Sequence, residues 1–255
     1  MILALDAGNT QIVCGCMEGQ ELQHIFRLET HIPRTEHEYA LLLQQMLRMG
    51  GMDRESFDGA IIASVVPAVT ATLKAAVELA IGVKALVVGA GIKTGLNIQI
   101  DNPAQLGSDL VVGAVAALAA YEAPLVVVDM GTAMTFTAID AGNRLRGGAI
   151  MPGISLSLSA LASGTSQLPR VAVEAPKSCI GTNTVDCMKS GAVFGTAGAI
   201  DGLLDRMEQE LGSPVQVIAT GQLARVITPY CRRKIRCDDH LLLRGLAIIY
   251  ARNKR

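Results

Sequence analysis

The chain has 255 residues, half of them hydrophobic, and a formal net charge of -1. That length allows one large α/β domain or two smaller ones, and the apolar share excludes a disordered chain. With no Trp, four Phe and four Tyr the core must be aliphatic, and neither charge nor aromatic content suits a reader of nucleic acid or an anionic membrane surface.

Ile2 to Asp6 is a short apolar run ending in a carboxylate, followed by Ala7-Gly8-Asn9-Thr10 and a second strand-like run, Gln11 to Cys16. Glu18-Gly19-Gln20 makes the turn beyond it. No basic region precedes the first strand, so a secretion signal is not expected. Helical spacing of apolar residues marks Glu36 to Met49 and Val69 to Ile81, on either side of a strand running from Gly59 into Val66-Pro67. Asp101-Asn102-Pro103 then leads to Gly107-Ser108-Asp109. Leu110 to Val128 carries one charge, Glu122, but Tyr121-Glu122-Ala123-Pro124 divides it. A buried helix followed by a buried strand is predicted there, not a membrane span.

The opening pattern then returns. Leu125 to Asp129, Met130-Gly131-Thr132-Ala133 and Met134 to Ile139 repeat the first hairpin about half a chain later, with Ala141-Gly142-Asn143 as the matching turn. Gly147-Gly148 to Pro152-Gly153 reads as a turn, a short strand and another turn. A helix is predicted from Ala197 to Leu211, and Val215 to Gly221 echoes the strand that starts at Gly59. The basic run Arg232-Arg233-Lys234-x-Arg236 and the tail Arg252 to Arg255 read as solvated surface. Six cysteines without a C-x-x-C pair or zinc spacing read as buried thiols of a reducing compartment, so a cytoplasmic protein is expected.

Two similar halves with a cleft between them suit a nucleotide gripped from both sides. In each hairpin the glycine allows a tight turn and a close approach of N–H groups to an anion. Asn9 and Thr10 add neutral donors. Asp6 would repel phosphate directly, so its expected task is to hold Mg²⁺ or its waters. Ser108 or Asp109 either caps the helix that follows or presents a carboxylate able to accept a hydroxyl proton. Ile180-Gly181-Thr182-Asn183-Thr184 is either a cap or an alcohol-bearing contact to substrate. No G-x-x-x-x-G-K-[ST] sequence is present, so no phosphate-binding lysine of that kind is expected.

In order, Asp6-x-Gly-Asn-Thr10, Asp101-Asn-Pro103, Gly107-Ser-Asp109, Asp129-x-Gly-Thr-Ala133, Gly147-Gly-Ala-Ile-Met-Pro-Gly153 and Gly181-Thr-Asn-Thr184 resemble the type III pantothenate kinases of the acetate kinase/Hsp70/actin superfamily. The resemblance implies an α/β fold of two duplicated ribonuclease-H-like domains, residues 1–120 and 121–255, around a nucleotide cleft. It implies a homodimer that phosphorylates pantothenate with ATP, the first step toward coenzyme A. It assigns nucleotide to Asp6, Ala7, Gly8, Asn9, Thr10, Gln11, Ile12, Val13 and Thr132, and proton acceptance to Asp109. Pantothenate falls to Gly107, Ser108, Asp109, Leu110 and Thr184, and a monovalent cation, K⁺ or NH₄⁺, to Asp129. The sequence differs from the family pattern at Leu110 (usually Arg), Ile100 (commonly Tyr) and Gln222 (usually Gly). An Arg grips a carboxylate or phosphoryl group bidentately, and Leu does not. Leu110 therefore opens two alternatives: a nucleotide-binding homologue without turnover, or a kinase of another small alcohol.

Overall fold

The computed structural model describes residues 1–254. They form two compact units, each built on a sheet that shares one five-strand order, with a sixth strand added at the edge of the second.

The first unit opens with an antiparallel meander, β1 (Ile2–Ala7), β2 (Gln11–Glu18) and β3 (Glu21–Glu29). β4 (Gly59–Ser64) and β5 (Ala85–Val87) then join in parallel, giving the order β3-β2-β1-β4-β5. Two helices, α1 (Glu36–Met49) and α2 (Pro67–Ile81), cover one face. α1 starts at a capping box, in which Thr35 and Glu38 satisfy each other's main-chain N–H groups. α3 (Ser108–Ala120) lies on the other face and is buried without interruption from Val111 to Ala117. Strand alternation divides β1 between the two cores. Leu3, Leu5 and Ala7 pack toward α1 and α2, whereas Ile2 and Ala4 pack with Val112 and Val115 of α3.

The second unit repeats the plan. β6 (Asn97–Ile98) runs parallel to the far edge of a meander formed by β7 (Leu125–Met130), β8 (Ala133–Ile139) and β9 (Arg144–Pro152). After α4 (Ile154–Gly164), α5 (Thr184–Ser190) and α6 (Thr196–Leu211) comes β10 (Gln216–Thr220), parallel to β7. α7 (Ala224–Ile227) and β11 (Arg236–Cys237) follow, and the order β11-β10-β7-β8-β9 mirrors the first sheet. The echo between the Gly59 and Val215 segments is thus a shared position, each strand lying parallel beside its Asp-bearing strand.

The last helix, α8 (Leu241–Asn253), belongs to the first unit, and residues 97–100 belong to the second. The division therefore differs from the expected cut at 120/121 in two places. For α8 the reason is packing. Its Leu243, Leu246 and Ile249 complete the core of Ile2, Ala4 and Val112. Gly245 comes so close to α3 that a Cβ there would lie 2.2 Å from the Val112 carbonyl oxygen.

Three local expectations change. The Gly147 to Gly153 segment is mostly continuous strand, because Gly148 lies flat across β8, where a Cβ would overlap the Phe136 carbonyl oxygen. Arg232 and Arg233 are not simply solvated. They pair with Asp201, Asp205 and Glu208 of α6, at 2.7 Å for Arg233 and Glu208. In the tail Lys254 pairs with Asp58 at 2.7 Å and Arg252 bonds the Thr94 carbonyl, while Arg255 lies outside the described residues. All six cysteines are free thiols, but only Cys14 and Cys16 are fully buried, and burial pushes Cys16 up to about 12. Among the described residues no helix is long and apolar enough to cross a membrane.

Candidate active site

The two Asp-x-Gly hairpins occupy equivalent places. Asp6 and Asp129 are each the fifth residue of a six-residue first strand, and both strands show one burial pattern: four buried residues, a half-buried Asp, then a buried residue. Alternation turns Asp6 to the face of Ile2 and Ala4, which α3 covers. Val13 pairs with Asp6 across β2 and packs against that same core. Asn9 and Thr10 are exposed at the turn, Gln11 is half-buried and Ile12 is buried. Neither Gly8 nor Gly131 adopts the left-handed backbone. Glycine at Gly8 answers to space, since a Cβ there would lie 3.3 Å from the Gln11 carbonyl oxygen, which accepts the Gly8 N–H at 2.9 Å.

The Gly107-Ser108-Asp109 turn is bound to the end of β4. The Ser108 hydroxyl accepts the Ser64 N–H at 3.0 Å and donates to the Ser64 carbonyl at 3.1 Å. This reciprocal pair fixes the start of α3 beside Ser64, which is itself paired with Ala7 of β1. Asp109 is thereby held one strand over from Asp6, on the face that α3 covers. The donor of Ser108 is fully used, so toward any substrate this hydroxyl can only accept.

Asp109 is half-buried in the first turn of α3. Burial pushes its carboxyl above the ordinary range, and the N–H groups of Leu110 and of Asp109 itself offset this only partly. A raised carboxyl is a better proton acceptor than an unperturbed one. Gly107 makes the placement possible, because a Cβ there would lie 2.3 Å from Asp109 Oδ1. The expected result for Gly107→Ala is a displaced carboxylate and a loss of kcat of about 10²-fold. Thermal melting should hardly change, because the displaced group is the mobile end of a side chain.

Leu110 is half-buried beside this carboxyl. Arg146 of the second unit pairs with Asp140 at 3.2 Å. Arg170 is exposed in the segment after α4. Ile100 is half-buried on the second unit, 3.9 Å from the place a Cβ would take at Gly147.

On the second unit the Asp129 carboxylate lies against Gly221. A Cβ there would be 2.8 Å from Asp129 Oδ1, and Gly221 has φ +92°, which favours glycine doubly. The neighbouring Gln222 does not adopt the left-handed backbone, so the departure from the family glycine costs no strain. Thr132 is exposed in the hairpin turn, and its carbonyl accepts the Gly153 N–H at 2.9 Å. The cap of α5 is Asn183, whose side chain accepts the Asp186 N–H. Thr184 is the first helical residue and lines a mainly apolar cavity of about 420 Å³ with Ile154, Leu158, Leu161 and Met188. Sequence reasoning gave no role to Thr30 or Ser64, which hold the two loops of the first unit; Ser64 ends the strand read from Gly59, and Thr30 lies in no motif.

Two sheets that share one five-strand order, each with a carboxylate at the same strand position, define the duplicated ribonuclease-H-like fold of the acetate kinase/Hsp70/actin class. Its likeness to component A of (R)-2-hydroxyglutaryl-CoA dehydratase from Acidaminococcus fermentans is one of fold, with a TM-score of 0.58 at 15% identity over 99% of this chain and 98% of that one. The profile of the type III pantothenate kinases matches residues 2–206. Type III pantothenate kinases from an Exiguobacterium species and from Moorella thermoacetica are 41% and 42% identical to it, over 100% and 99% of this chain and the whole of each relative. The chain belongs to the type III pantothenate kinase family and is a small-molecule kinase.

Proposed function

We propose that the chain transfers the γ-phosphoryl group of ATP to the primary hydroxyl of pantothenate, opening coenzyme A biosynthesis, with Asp109 as proton acceptor. The observation that carries this reading is the raised, half-buried carboxyl of Asp109, braced by Gly107 and by the Ser108–Ser64 pair on the Asp6 face of the sheet. As the new O–P bond forms and the bond to ADP breaks, the hydroxyl proton passes to Asp109. In a loose transfer the carboxylate chiefly orients the hydroxyl, and Gly107 and Leu110 shape the space beside it. Thr184, which lines an apolar cavity, supplies an alcohol to pantothenate.

The Asp6 to Val13 hairpin and Thr132 take the nucleotide. Among the described residues no three His, Cys, Asp or Glu side chains cluster as a metal cage. A half-buried carboxylate such as Asp6 fits Mg²⁺ of the kind that arrives on phosphates and keeps several waters. Bound there, Mg²⁺ supplies charge neutralisation. Asp129, cradled where a Cβ on Gly221 would stand, fits a monovalent cation, K⁺ or NH₄⁺. A homodimer is supported by large apolar side chains exposed on the second unit, among them Ile150 at 72% and Ile180 at 82%. The free thiols suit the cytoplasm.

Purified protein with ATP, Mg²⁺ and K⁺ or NH₄⁺ should release ADP only when pantothenate is present. ATP binding without turnover of pantothenate or of any alcohol in a panel of small alcohols would defeat the kinase reading. Turnover of a different alcohol alone would move the substrate assignment to the space beside Leu110.

A further inference from the structure

We propose that Thr30 is a positioning residue for the nucleotide: its hydroxyl and its main-chain N–H hold the first and last carbonyls of the Gly8-Asn9-Thr10 turn, and so aim that turn's own N–H groups. The inference rests on the assignment of this hairpin to ATP.

Thr30 directly follows β3, the third strand of the meander, and is buried with 8% exposure. Its Oγ1 donates to the Gly8 carbonyl at 2.8 Å, and its N–H donates to the Thr10 carbonyl at 3.0 Å. One side chain and its own backbone thus bind both ends of a three-residue turn from behind. The Gly8–Asn9 peptide is trans, so its C=O and N–H point in opposite directions. Fixing the Gly8 carbonyl on Thr30 therefore directs the Asn9 N–H away from Thr30. Asn9 is an exposed residue, and an N–H turned away from Thr30 is the orientation that lets a turn of this kind donate to an anion. Without the hydroxyl, this peptide plane is free to rotate and present its carbonyl oxygen to phosphate, which repels it.

The duplicated hairpin shows that the hydroxyl is an addition to a shared frame. Gly153 directly follows β9, the third strand of the second meander, and its N–H donates to the Thr132 carbonyl at 2.9 Å, as the N–H of Thr30 does to Thr10. There the equivalent residue has no side chain, and a Cβ would lie 2.2 Å from the Gly131 carbonyl oxygen and 2.4 Å from that of Thr132. The second hairpin lies directly on the backbone of Gly153. The first stands off and is held through a hydroxyl. The two loops are thus shaped for different loads by one residue at one topological position.

The test is steady-state kinetics of the full chain carrying Thr30→Val, Thr30→Ser and Thr30→Ala. Loss of the hydroxyl in Thr30→Val should raise KM for ATP about tenfold, the size expected for one lost hydrogen bond to a carbonyl. KM for pantothenate should stay within about twofold, and Thr30→Ser should restore ATP affinity. Thr30→Ser against Thr30→Ala gives the same contrast without the β-branched methyl, should Thr30→Val fold poorly. An unchanged KM for ATP in Thr30→Val and Thr30→Ala, equal impairment of Ser and Ala, or parallel rises in both KM values would each overturn the inference. A wild-type protein that binds no ATP and turns over no pantothenate would defeat the proposed function itself, a result distinct from all of these.

Discussion

Asp109→Asn is expected to lower kcat/KM for pantothenate by about 10²–10⁴-fold, the range general-base catalysis supplies, while leaving the protein at least as stable as the wild type at pH 7. The stability sign follows from the direction of the shift. Burial raises the folded carboxyl above its unfolded value of about 3.9, so the native state holds this proton more tightly than the unfolded chain does. Ionising Asp109 then costs stability as the pH rises from the unfolded pKa through the folded one, and the cost persists above that window. Asn carries no such cost. The variant and the wild type should be closest in stability near pH 4, and the variant should gain relative to it above. Denaturant unfolding at pH 4 and pH 7, beside the kinetics, checks both halves. In the wild type the same shift places the acid limb of the kcat/KM profile above the ordinary carboxylate range, and Asp109→Asn should abolish that limb. A variant that loses activity and stability together at pH 7 would identify Asp109 as a structural cap.

The largest loss of stability is expected at Gly148, at the crossing of β9 over β8. Its missing Cβ would overlap a main-chain oxygen, that of Phe136, and not the movable end of a side chain. Relief requires the strands to part or the register to shift. Gly148→Ala should cost about 3 kcal/mol, the upper end of overpacking penalties, lowering the melting temperature by about 6–12 °C. The comparison is Gly198 in the exposed part of α6, where a Cβ would meet nothing within 4 Å. Gly198→Ala should gain about 0.5–1 kcal/mol from helix propensity. Melting curves of the two variants should therefore move in opposite directions. Equal behaviour would mean that β9 is not held flat against β8 at this point.

The duplication is legible because each copy packs its code into consecutive residues. Four apolar residues, an Asp, a glycine turn and an alternating run specify a buried strand and a hairpin with no help from elsewhere, and the two first strands share one burial pattern. α1 is legible for the same reason and spans the predicted Glu36 to Met49. α2 starts at Pro67, two residues before the periodic pattern begins, because proline is favoured at the first helical position and reads as a turn in the sequence. The third strands were harder to see. β3 carries charged or polar residues at Glu21, Gln23, His24, Arg27 and Glu29, and β9 is interrupted by glycines. Both exist because the neighbouring strand supplies a ladder.

For the site, the sequence by itself determined which carboxylates exist, that two of them lie near the ends of equivalent strands, and that Gly107-Ser108 precedes the third. Those are local facts, carried by residue type and spacing. Only the tertiary structure decided that Ser108 is bound to the main chain of Ser64. It also decided that α8 completes the first unit and that Thr30 holds the hairpin assigned to nucleotide. The physical reason is the same in each case. A hydroxyl or a glycine takes its role from a partner 20 or more residues away, and that partner is chosen by sheet register and close packing, which no local pattern encodes.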